Sequence, residues 1–132
     1  MKTKTLLKEY LILESIKENA NLIKEFIVAS CKKLGIDRPV KVKLMHDRTD
    51  KLDTYAKFNT ETNEIFVYVK NRATADILRS IAHELKHLQQ NTTNQEIDGT
   101  TGSKCENEAN AFAGIMIREF GEKHPEIYET VN

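Results

Sequence analysis

Residues 74–90 read Thr-Ala-Asp-Ile-Leu-Arg-Ser-Ile-Ala-His-Glu-Leu-Lys-His-Leu-Gln-Gln. Within them Ile77, Leu78, Ile81, Leu85 and Leu88 recur at the 3.6-residue period of a helix with one buried face. Thr74 stands where a helix cap belongs, and Asp76 is favourable in the first turn, at the positive end of the helix dipole. A second stripe, Ser80, His83 and His87, runs beside the apolar one, with Glu84 between the two. His83 and His87 are one turn apart, so both imidazoles can reach one metal ion, and Glu84 becomes a candidate general base. Zinc peptidases use this pattern: two neutral histidines, a third protein ligand from another element, and an open fourth position for water.

On the N-terminal side, apolar residues keep helical spacing from Thr5 to Leu34, in one helix or in two broken near Glu18–Asn21, and Gly35 and Pro39 supply the stop. The period then changes to two. Val40, Val42 and Leu44 alternate with Lys41 and Lys43 as in a half-buried strand, a short strand follows near Thr54–Phe58, and a polar turn at 59–64 leads into Ile65–Val69. These predict a three-stranded, mainly antiparallel meander. Beyond a polar loop at 91–104, a last helix starting near Lys104 buries Ala109, Phe112, Ala113, Met116, Ile117 and Phe120 before Gly121 and Pro125 end it. The fold class is α+β: N-terminal helices, a small sheet, the helix with the two histidines, and a C-terminal helix.

A catalytic zinc takes three protein ligands, so one is still to be found. The metzincin arrangement would place Gly and His at positions that hold Gln90 and Thr93, which excludes that class. Glu106, Glu108, His46 and His124 remain. Ser103 and Glu106 have the spacing of a capping box, which would engage the Glu106 side chain with the backbone of the cap. Glu108 borders the apolar face marked by Ala109 and Phe112, as the histidines border theirs, and is the expected third ligand.

Glu-Ala-Asn-Ala-Phe-Ala at 108–113 follows Ala-His-Glu-Leu-Lys-His at 82–87. On these two motifs the chain resembles the ImmA/IrrE-type metallopeptidases, whose hallmark is an H-E-L-x-H helix followed by an E-A-N-x-F-A helix. The resemblance is close over the two helices and loose over the rest of the chain. It implies a minimal gluzincin-like fold, zinc held by His83, His87 and Glu108, and catalysis by Glu84. Lys86 departs from the Gly often found at that position, and a chain of 132 residues has no room for the helix-turn-helix or sensor domain of many relatives. Cleavage of a transcriptional repressor, a role known in the family, therefore stays open and is not inferred.

Composition narrows the function further. Lys plus Arg and Asp plus Glu both number 20, which disfavours long-range attraction to nucleic acid or to a membrane surface. No apolar run approaches the roughly 18 residues of a membrane span. Two cysteines, Cys31 and Cys105, do not make a disulfide framework, and with no signal peptide in view a reducing cytoplasm is the expected location. The length suits one domain over 1–132. The expected activity is zinc-dependent endopeptidase cleavage of a protein or peptide substrate, one that could be a regulatory protein, with Glu84 acting on a zinc-bound water. Such a substrate would pair with the strand Ile65–Val69, and Tyr55, Tyr128 and His124 are candidate oxyanion donors. The alternative is a non-catalytic, zinc-stabilised binding or regulatory module on the same fold; a DNA-associated regulator ranks third. Substrate identity and oligomeric state stay open at this level.

Overall fold

Ile23, Phe26, Ile27, Cys31 and Leu34 fall on one face of the first helix, and all five are buried. The computed structural model describes residues 20–46, 55–59, 61–93, 100 and 102–132; the part of the expected N-terminal helix before Ala20 lies outside them. Six regular elements and a final 3-10 turn follow one another: α1 (Ala20–Leu34), β1 (Lys41–Met45), β2 (Ala56–Asn59), β3 (Glu64–Tyr68), α2 (Thr74–Thr92), α3 (Lys104–Lys123) and the 3-10 turn Pro125–Tyr128. The class is α+β, as the periodicities predict. Gly35 ends α1 at φ +70, and Ile36 N–H reaches back 2.9 Å to the Cys31 carbonyl, a closure that favours glycine at the left-handed position.

The sheet is not a meander. Its order is β1-β3-β2, with β1 parallel to β3 and β2 antiparallel to it, so the expected order and mainly antiparallel character are both corrected. The cause lies in the side chains of β3. Ile65, Val67 and Tyr68 are buried and Phe66 is half-buried, so β3 has apolar groups on both faces and suits the middle of the sheet. β1 and β2 carry Lys41, Lys43 and Lys57, charges that suit the outer positions of a sheet. The β2–β3 turn is built by asparagines: Asn59 Oδ1 accepts from the Glu61 N–H at 2.9 Å, and Asn63 takes φ 56.

Helix α2 packs against α1, α3, β2, β3 and the 3-10 turn. Ile77, Leu78, Ile81, Leu85 and Leu88 are fully buried, so its apolar stripe faces the common core. Truncating one such leucine to alanine costs about 2–5 kcal/mol. The N-cap is Ala73, not Thr74, and it makes no side-chain cap bond. The chain's last residues take over that work: Thr130 O accepts from the Thr74 N–H at 2.9 Å, the two threonine hydroxyls are 2.5 Å apart, and Asn132 donates to Thr74 Oγ1 at 3.1 Å. Because its hydroxyl is engaged there, Thr74 becomes the first helical residue instead of the cap.

Helix α3 lies along α2 and adds Ala113, Met116, Ile117 and Phe120 to the core, with the Phe120 ring edge-on to Phe26 of α1 at 5.2 Å. It runs past Gly121 to Lys123, beyond the expected stop. Gly121 serves packing rather than termination: a Cβ there would lie 2.5 Å from the Tyr128 hydroxyl. No helix among the described residues is long and apolar enough to cross a membrane. Both cysteines are buried and neither is in a disulfide.

Candidate metal centre

One helical turn brings the His83 and His87 rings together edge to face, with centroids 4.6 Å apart and Nε2 atoms 3.1 Å apart. The first turn of α3 supplies a carboxylate to the same point. Glu106 lies 3.3 Å from His83 Nε2 and 2.5 Å from His87 Nε2, and the three ligand atoms all fall within 4.8 Å of one another. These residues could hold a metal ion. With bonds of about 2.0–2.1 Å, neighbouring ligands on a tetrahedral ion of zinc's size stand about 3.3 Å apart. Two of the three separations match that spacing, and the third, between Glu106 and His87, is shorter than it.

The carboxylate that arrives is Glu106 and not Glu108. Both glutamates border the buried line Cys105, Ala109 and Ala113. At 100° per residue they sit on opposite flanks of it, so only one can face the histidines. Asn110, one turn after Glu106, shares its flank and hydrogen-bonds the His83 side chain. The Glu106 side chain does not close a capping box. Ser103 Oγ does accept from the Glu106 N–H, at 3.4 Å, but the Ser103 N–H donates to the Thr100 carbonyl at 3.0 Å, and the Glu106 carboxylate turns toward α2. Glu108 instead accepts from Gln90 Nε2 at 3.1 Å. Gln90, 1% exposed, also places Oε1 2.7 Å from His87 Nδ1 and donates to the Cys105 carbonyl at 3.0 Å.

Electrostatics follow burial. Removal from water, then the nearby His87, lower the His83 pKa, against opposing contributions from Glu106 and Asn110. Its neutral form, the one that ligates metal, is thereby favoured. Glu84 Oε2 is 3.9 Å from His83 Nε2. Burial pushes the Glu84 carboxyl up to about 7; His87 and a hydrogen bond from the Phe58 backbone pull it down, and Glu106 adds to the rise.

The cluster opens into a cleft of about 480 Å³ walled by Ala56, Lys57 and Phe58 of β2, by Arg79 and Ser80 of α2, and by Asn110 of α3. The other sequence candidates lie elsewhere. His46 follows β1 outside the cluster, His124 pairs with Glu25 of α1 at 3.0 Å, Tyr128 packs on Gly121, and exposed Tyr55 lies under the Arg72 guanidinium at 4.5 Å. Strand β3 is hydrogen-bonded on both sides, so it cannot receive a substrate strand; β2 is the strand at the cleft. Sequence reasoning missed Gln90, Asn110 and the ligand position of Glu106. The one-turn spacing of Glu106 and Asn110, and of His87 and Gln90, was the signal available. Compared with known protein families, curated proteins and solved structures, the chain matches none.

Proposed function

We propose that this chain is a zinc-dependent metallopeptidase that cuts a protein or peptide substrate, with Glu84 as its general base. The observation that carries this reading is the convergence of His83, His87 and Glu106 beside a buried carboxyl pushed up to about 7. Two imidazoles and one carboxylate form a donor set of catalytic zinc, three protein ligands leaving one position open. Bound there, zinc would supply Lewis acidity toward a peptide carbonyl and acidify a water so that it attacks near neutral pH. Glu84, 3.9 Å from His83 Nε2, accepts the proton of the attacking water and returns it to the leaving amine. The Phe58 N–H of β2 donates to Glu84 and orients it. A substrate extended along β2 is then presented to Glu84, with Lys57, Arg79 and Asn110 at the cleft wall as donors toward the developing oxyanion. The two motifs that resemble the ImmA/IrrE-type peptidases support the same reading, with Glu106 in place of Glu108 as ligand.

The test is digestion of a proteome-derived peptide library by the zinc-loaded chain, read by mass spectrometry beside the Glu84→Gln variant. New termini that depend on Glu84 are expected. Zinc bound by both proteins with no new termini from either would favour the non-catalytic module.

A further inference from the structure

Resting on the metal-site reading, we infer that Gln90 and Glu108 form a positioning pair that sets the His87 imidazole for metal binding, Glu108 acting through Gln90 and not as a ligand. A buried polar side chain is tolerated only when its groups are paired, and the Gln90 amide is paired at both ends. The pairing decides which end is which. The Cys105 carbonyl and a Glu108 carboxylate oxygen are acceptors, so the amide atom facing both is the nitrogen. The amide oxygen therefore faces His87, and His87 Nδ1 must be the donor across 2.7 Å. In a neutral ring with the proton on Nδ1, the lone pair sits on Nε2, the atom turned toward His83 and Glu106. Gln90 thus selects the tautomer that can ligate.

The second end explains why the selection is firm. Cys105 and Glu108 stand at the start of α3, on either side of Glu106 in sequence. One amide therefore ties the ring of one ligand to the turn that carries another, and Glu108 prevents the amide from rotating to offer its NH2 to His87. A residue that only filled the helix interface would affect stability when removed, but not the metal.

The experiment measures zinc affinity by chelator competition, and the visible spectrum of the cobalt-substituted protein, on the full chain. The proteins are wild type, Gln90→Leu, Glu108→Ala, both together, and the exchange Gln90→Glu with Glu108→Gln, which keeps an acceptor toward His87 and a donor between the two positions. Metal-free melting is recorded alongside. Gln90→Leu should weaken zinc binding about 10–100-fold, the usual effect of removing an outer partner of a histidine ligand, and should alter the cobalt spectrum. Glu108→Ala should weaken binding by less and add nothing to Gln90→Leu, as residues of one chain of contacts do. The exchange should recover most of the loss. Wild-type affinity and an unchanged spectrum in the folded variants would overturn the pair alone; a wild-type chain that binds neither metal would overturn the site with it. Should Gln90→Leu not fold, unchanged affinity in Glu108→Ala and in the exchange is the contradicting result.

Discussion

Glu106 Oε2 stands 2.5 Å from His87 Nε2, a contact between the first turn of α3 and the C-terminal half of α2. A metal at this point would join the two helices whose packing forms much of the core. Zinc at about 100 times its dissociation constant then adds about 2.7 kcal/mol to folding. For a chain of this size that corresponds to a rise on the order of 10 °C in melting temperature. Differential scanning calorimetry with and without chelator should show the rise, and His87→Ala should remove it. An equal rise in that variant would place the ion elsewhere.

The buried Glu84 carboxyl makes the metal-free chain sensitive to pH in a defined direction. Its folded pKa, about 7, lies above the ordinary carboxylate value, so the folded state disfavours the charged form. The stability this group allows is fully present below about pH 4, declines as pH rises, and is lost above about 7, a span on the order of 3–4 kcal/mol. Glu84→Gln should therefore raise the melting temperature of the metal-free protein at pH 8 and leave it nearly unchanged at pH 4. A gain of the same size at both values would contradict the assigned cause.

How far the sequence could be read divides along the range of the interactions. The faces of α1, α2 and α3 follow from a period that each helix carries within itself, and the His83–His87 pairing needs only one turn of one helix. Strand order depends on which strand buries both faces. The continuous apolar run in β3 marks that role, yet neighbours in sequence suggested a meander. Sequence reasoning chose Glu108 as the third ligand, whereas the carboxylate beside the histidines is Glu106, on the opposite rim of the same apolar stripe. Choosing between the rims requires knowing on which side α2 lies, which is a tertiary fact. The substitution of the Thr130–Asn132 segment for a helix cap joins residues 56 or more apart in sequence, and no local pattern announces it.

That C-terminal segment offers a third test. Deleting Thr130–Asn132 removes the partners of the Thr74 N–H and hydroxyl at the start of α2. Loss of a helix cap costs about 0.5–2 kcal/mol, and the exposed Val131 adds little burial to that. A fall of several degrees in melting temperature is expected, with amide exchange fastest in the first turn of α2. Unaltered exchange there would show that the segment does not cap the helix.

The thiols report on packing. Burial pushes Cys31 up to about 12, so little thiolate exists at pH 8. In the native protein Cys31 should react with a disulfide reagent only as fast as the chain opens, and at once after denaturation. Rapid native labelling of Cys31 would mean that α1 is not seated as described.

Calorimetric titration of zinc into the metal-depleted chain, repeated with Glu106→Ala and Glu108→Ala, bears most directly on the proposed centre. One ion per wild-type chain is expected, with binding lost in Glu106→Ala and one site retained at weakened affinity in Glu108→Ala. Binding that survives Glu106→Ala and disappears in Glu108→Ala would contradict the centre formed by His83, His87 and Glu106.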